Sequence, residues 1–261
     1  MHAIVAIGGG EVGENIVVDR HSLELTGKDE PNLLVVASSD DTPGAAELSA
    51  EYYANLGASS RVLDLSTTPE QSRVHAEVLG ADLIIGSLHT LTEAVAEWRQ
   101  YRIDRLLAIT RKRPALQILS FTGEAAGLPF EFAASTQGTD EHHVGVLTGI
   151  DLLHNTLVIP YYSSEREVRS KFVKDKLPLP NRRGEATANA YALDDGAAIV
   201  IHSQEDKLPY AITTTTDHVR FISPRRGEPH QVIELGDDQE LEPHEITPKD
   251  DSSEASSITT V

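Results

Sequence analysis

The stretch Ala115-Leu116-Gln117-Ile118-Leu119-Ser120-Phe121-Thr122-Gly123-Glu124-Ala125-Ala126-Gly127 decides how the rest of the chain is read. A short apolar run stops in Ser-Phe-Thr-Gly and resumes with Glu-Ala-Ala, good helix formers. This predicts a buried strand turning sharply into a helix. Strand, tight turn and helix form the setting of a nucleophile elbow, where a small residue is thrust up at the carboxyl end of a sheet. Thr122 stands at the expected tip. Hydrolase elbows usually carry Ser or Cys there, with Gly or Ala close by, whereas here Glu124 follows two places on. The position reads as catalytic and the chemistry does not.

On the amino-terminal side of this stretch, apolar runs of strand length alternate with amphipathic ones. Strands are expected at Ala3 to Ile7, Leu33 to Ala37, Val62 to Leu65 and Asp82 to Gly86. Helices are expected at Glu14 to Leu25, Ala45 to Leu56, Pro69 to Leu79, Thr90 to Gln100 and Asp104 to Lys112. Beyond it come a strand at Leu157 to Pro160 and a charged helix at Ser164 to Lys174, read as having a solvated face. Such alternation implies an α/β fold of three layers with a mainly parallel central sheet. The strand Leu116 to Leu119 should be central and parallel to those at Ala3, Leu33 and Leu83. After Ala186 the pattern turns antiparallel. Ala190 to Leu193 and Ala197 to Ile201 flank Asp194-Asp195-Gly196 as an expected hairpin, and short β-rich segments follow at Ala211, His218 and Val232.

The chain has 261 residues, no cysteine and a formal charge of -19. Disulfides, thiolate metal sites and a Cys nucleophile are excluded, and the acidity argues against nucleic-acid or anionic-membrane partners. No run is long enough for a membrane span, and the start at Met1 reads directly into a strand, so a cytoplasmic protein is expected. The acid-rich segment after Leu235 is expected to be a disordered tail (236–261) behind one domain (1–235). No cofactor and no metal are expected, and the oligomeric state is open.

Gly8-Gly9-Gly10-Glu11-Val12-Gly13 has the spacing of a dinucleotide loop. The acidic residue that such a site wants is best matched by Asp40, about thirty residues on instead of ~20, so a tight glycine turn is the stronger reading. Thr90 is placed to cap a helix, with Glu93 completing a capping box. His89 reads as structural or solvated, and His142-His143 as a solvated loop without ligands at metal spacing.

Taken in order, these segments resemble the dipeptidase E and cyanophycinase family of serine peptidases, within the class I glutamine-amidotransferase-like, flavodoxin/Rossmann-like fold. The resemblance covers roughly residues 3 to 222. It rests on Ile7-Gly8-Gly9-Gly10, Leu33 to Ser38, Gly86 to Thr90 with Trp98, Gly145-Val146-Leu147, Ile159-Pro160-Tyr161-Tyr162 and Ala192 to Ala198. It implies a nucleophile position at Thr122, a base position at Tyr161 and an oxyanion-loop position at His89, with Glu124 beside them. Gly8, Gly9, Gly10, Gly86, Ser87, Leu88, Thr90, Gly123 and Tyr162 are then expected to line a ligand cleft.

The departures fall on the machinery. The family carries Gly-Gly-Asn-Thr where this chain has Ser87-Leu88-His89-Thr90, Ser-Ala-Gly where it has Thr122-Gly123-Glu124, and Pro-His-Tyr where it has Pro160-Tyr161-Tyr162. A phenol with a reference pKa of about 10 is a poor base at neutral pH beside an imidazole at about 6.5. The acidic triad member would fall between Phe130 and Glu141. The resulting expectation is a retained fold with a lost activity and a cleft for a small molecule or short peptide. An active hydrolase using Thr122 or Ser120, and a nucleotide-binding module using Gly8 to Gly13, are the alternatives.

Overall fold

A computed structural model describes residues 2–10, 13–87, 90–110, 116–136, 144–177, 179, 188–202, 208–213, 217–223 and 231–235. The amino-terminal half runs β1 (His2–Ile7), α1 (Ile16–Glu24), β2 (Asn32–Ala37), α2 (Ala45–Asn55), β3 (Ser59–Asp64), α3 (Gln71–Gly80), β4 (Leu83–Ser87), α4 (Leu91–Gln100), α5 (Ile103–Thr110) and β5 (Gln117–Thr122). Then follow β6 (Phe130–Ser135), β7 (Gly145–Thr148), β8 (Leu153–Ile159), α6 (Arg166–Lys176), β9 (Asn189–Leu193), β10 (Ala198–His202), β11 (Tyr210–Ile212), β12 (Val219–Ser223) and β13 (Gln231–Leu235).

Seven strands form the first sheet in the order β11-β10-β1-β5-β4-β2-β3. β5 is its middle strand, parallel to β1 and β4, and β4 is parallel to β2 and β2 to β3. The expected central position of the elbow strand is therefore observed. Alternation of side chains explains why these strands read as unbroken apolar runs. Ala3, Val5 and Ile7 enter a core with α1 and α2, while Ile4 and Ala6 enter the opposite one with α3, α4 and α5. Each strand must satisfy two apolar faces.

A second sheet, β13-β12-β9-β8-β6-β7, was not expected as a separate layer. Its inner face shares the core of Ile4, Leu119 and Phe121 through Phe130, Val158, Tyr191 and Phe221, and its outer face packs on α6 through Phe172 and Val173. The strand β6 starts immediately beyond Gly127 and Pro129, where the sequence reading continued a helix. Only a 3-10 turn, Gly123–Gly127, forms there. A helix cannot be extended through Pro129, because proline removes a backbone donor and clashes with the preceding turn.

Two further local expectations are corrected. Asp194-Asp195-Gly196 does not close a hairpin: β9 pairs with β8 and β12, whereas β10 pairs with β1 and β11. The tight turn, closed by Ala197 N–H donating to Asp194 O (3.0 Å), hands the chain from one sheet to the other. Thr90 is the residue before α4, but its hydroxyl makes no cap and its Oγ1 is buried without a partner. No helix among the described residues is long and apolar enough to cross a membrane. The segment from residue 236 on lies outside the described residues.

Candidate functional site

The carboxyl ends of β1, β5 and β8 meet where the two sheets join. Gly8 N–H donates to Ala197 O (2.9 Å), Tyr161 N–H to Gly8 O (2.8 Å) and Tyr162 N–H to Leu193 O (2.9 Å). These backbone bonds bring the glycine run, the Pro160-Tyr161-Tyr162 segment and the β9–β10 turn together. In open α/β sheets such ends form the crevice where ligands bind.

A sharp turn follows β5, and its left-handed residue lies one place after Thr122. Thr122 is the last residue of β5, in extended backbone (φ -117°, ψ 145°) and paired in register with Ile7. Gly123 takes the left-handed turn (φ +61°). The strain that marks a nucleophile elbow therefore falls on a residue without a side chain. A Cβ at 123 would collide with the Tyr161 hydroxyl and lie 2.8 Å from its Cζ. The space in front of the tip is filled by that phenol. Sequence placed the tip by its polar side chain, whereas backbone torsion puts it on the glycine.

Tyr161 itself has φ +52°, in the left-handed region that non-glycine residues avoid. Its ring packs against the glycine run: a Cβ at Gly9 would come within 2.6 Å of its Cε1. Gly8 has no room for a side chain either, since its Cβ would strike the Asp194 carbonyl. Gly10 is left-handed (φ +99°), and Asn15, just before α1, donates Nδ2–H to Gly9 O (2.7 Å). Burial above all, then the negative fields of Glu124, Asp195 and Glu165, raises the phenol's pKa above its ordinary value, with Arg169 acting in the other direction. At neutral pH Tyr161 is a protonated group that cannot accept a proton from a nucleophile.

Behind Tyr161 lies a network that sequence reading missed. Arg169 of α6 is fully buried. It donates Nε–H to Glu165 (2.9 Å), Nη1–H to Ala134 O (2.7 Å) and Nη2–H to Glu124 Oε1 (3.3 Å). The charged helix was expected to face solvent. Its one signal was the Glu165/Arg169 spacing of four residues, which by itself reads as an exposed pair. Glu124 keeps Oε2 buried without a partner.

Other expected site residues are placed as follows. Gly86 and Ser87 end β4 in register with Val36 and Ala37. Leu88 and His89 lie outside the described residues, as do Glu141, His142 and His143. Among the described residues Thr122 makes no side-chain hydrogen bond. Glu131, in the segment proposed for the acidic triad member, is buried and its Oε2 accepts from Asn155 N–H (2.8 Å) near the start of β8. Tyr161 follows the opposite end of that strand. Tyr162 lines a separate cavity of about 340 Å³ with Arg166, Asp194, His218, Arg220 and Glu234. There Arg220 lies 5.2 Å above the Tyr162 ring and donates Nη1–H to Asp194 (2.7 Å). Among the described residues no His, Asp and Glu group has the arrangement of a metal site.

The two-sheet architecture, with a sharp turn after the middle strand of the first sheet, is a mixed α/β fold of the peptidase-E-like kind. Two of the solved structures it resembles are described as peptidases. One is a peptidase from an acI-B1 Actinobacterium, at 13% identity and TM-score 0.64, covering 92% of this chain and 97% of that one. Another is a "Putative Peptidase E Protein" from Listeria monocytogenes EGD-e, at 12% identity and TM-score 0.55, covering 82% of this chain and 100% of that one. No family model matches the sequence, and no curated protein matches it significantly.

Proposed function

We propose that this chain is a peptidase-E-like protein that has left serine-peptidase chemistry and keeps a pocket for a small molecule or short peptide. The observation that carries this reading is the pairing of Gly123 with Tyr161: the turn residue has no side chain, and a neutral phenol occupies the volume a nucleophile would need. Glu124 adds negative charge where an acyl-transfer intermediate would itself be negative, which opposes its formation. Loss of nucleophile and base together removes most of a triad's rate enhancement. With the crevice filled, the cavity beside Tyr162 is the place for a ligand, and its paired charges suit a ligand with both donors and acceptors.

The reading is tested with Asp-Xaa dipeptides, the substrates that the resemblance suggests, and with a fluorophosphonate probe that labels activated hydroxyls. Wild type should show no turnover and no labelling. Turnover abolished by Thr122→Ala would overturn the proposal, and so would labelling lost in Ser120→Ala. Ser120 is a poor candidate on its surroundings, being 2% exposed inside β5. The nucleotide reading is disfavoured because Gly8 and Gly9 are packed against Asp194 and Tyr161, where a pyrophosphate would have to approach.

A further inference from the structure

Away from the crevice, the junction of α4 and α5 opens a cavity of about 550 Å³ lined by Arg99, Arg102, Asp104, Arg105, Ile150 and Asp151. The chain has 41 acidic against 22 basic residues, so three guanidiniums on one cavity run against its composition. Arg99 is anchored, donating Nη2–H to Gly149 O (2.9 Å). The side chains of Arg102 and Arg105 form neither a hydrogen bond nor an ion pair among the described residues. Both are exposed residues whose guanidiniums border a common space.

The walls are also strained. Arg102 (φ 58°) and Asp151 (φ 64°) are both left-handed non-glycine residues, and they stand on the same cavity. Such conformations persist only where the surroundings impose them, and they gather at ligand clamps. Asp151 is committed to His154, 2.8 Å away. Asp104 is not committed: its Oδ1 is buried with no hydrogen-bond partner. The cavity therefore offers two free planar donor forks, a third fixed positive charge and one unsatisfied acceptor.

We propose that this cavity binds a small phosphate ester. Guanidinium forks match phosphate oxygens in bidentate geometry, which a lysine cannot reproduce. Arg102 and Arg105 hold the phosphate, Arg99 adds charge from its anchored position, and Asp104 Oδ1 accepts from a hydroxyl of the organic part. The volume suits a metabolite-sized ligand, and the chain's net charge of -19 disfavours a nucleic-acid backbone as the source of the phosphate.

Calorimetric titration of the full chain with inorganic phosphate and with glycerol 3-phosphate, at one fixed ionic strength, tests this. Arg102→Asn combined with Arg105→Gln removes both free charges, and asparagine tolerates the left-handed backbone at 102. Circular dichroism checks that this variant is folded. Arg61→Gln serves as a control on another surface. The expected result is saturable single-site binding, tighter for glycerol 3-phosphate, weakened at least tenfold in the double variant and unchanged in the control. Asp104→Ala, which removes the acceptor, should narrow the gap between the two anions. Absence of saturable binding, equal affinity in the double variant, or equal affinity for ester and inorganic phosphate in wild type would each overturn the proposal.

Discussion

Tyr161 and Gly123 are coupled by volume, and the coupling is measurable at single residues. Gly123→Ala places a methyl against the Tyr161 ring on a left-handed backbone (φ +61°). The backbone part costs about 1 kcal/mol and the overpacking a further ~1–3 kcal/mol. In a Tyr161→Gly background the same change should cost only the backbone part, as read by urea denaturation of the four proteins of the cycle. Equal costs in both backgrounds would show that the ring does not hold that space. A second consequence concerns pH. The Tyr161 pKa is raised by burial, then by Glu124, Asp195 and Glu165, so the folded state favours the neutral phenol. Its contribution is complete below the unfolded value of about 10 and is lost as pH rises through the higher folded value. The stability difference between wild type and Tyr161→Phe should stay flat from about pH 6 to 9 and change only above about 10. A transition near pH 7 would mean that the phenol is available as a base after all.

Elements are joined here by buried polar groups as well as by apolar faces. Arg169 ties α6 to β6 and to the turn after β5. Arg169→Met leaves Glu124 facing a buried space without its cation. The loss should be about 3 kcal/mol, at the low end for a broken buried pair, since Glu165 is 36% exposed and keeps its water. Adding Glu124→Gln should recover part of that loss in thermal unfolding. On the opposite face of the first sheet, Tyr52 donates to Asp19 Oδ2 (2.9 Å) and Tyr53 to Asp19 Oδ1 (2.5 Å), linking α1 to α2. Tyr53→Phe leaves one oxygen of a buried carboxylate unpaired and should cost about 1–3 kcal/mol. An unchanged midpoint would show that water replaces the hydroxyl.

At the scale of the whole molecule, β13 is the last strand among the described residues. Leu235 is fully buried in the core between the sheets, while the acid-rich segment beyond it offers little apolar surface to bury. Truncation after Gly236 should leave the melting temperature within about 2 °C of the full chain, whereas truncation before Gln231 should lower it by several degrees. A large drop in the first case would show that the tail docks.

The first sheet was legible because its cause is local. Runs such as Ile4 to Ile7 and Leu33 to Ala37 are apolar on both faces, and glycines or polar turns stop them, so each strand declares itself within a few residues. The resemblance to peptidase E rested on short motifs in and beside such strands, and the fold agrees with it. For the candidate site, sequence pointed only to a set of strand ends. That Tyr161 fills the space before Gly123 and that Arg169 is buried against Glu124 and Ala134 were both decided by residues more than 30 positions apart in the chain. The β9–β10 turn likewise looked like a hairpin because Asp-Gly is a local signal, while which strands it joins depends on the partners each sheet edge offers. Sequence determined where chain direction changes, since backbone torsion and side-chain periodicity act over neighbours. Tertiary structure decided which side chain occupies which volume, because exclusion acts between atoms that meet only once the sheets have packed.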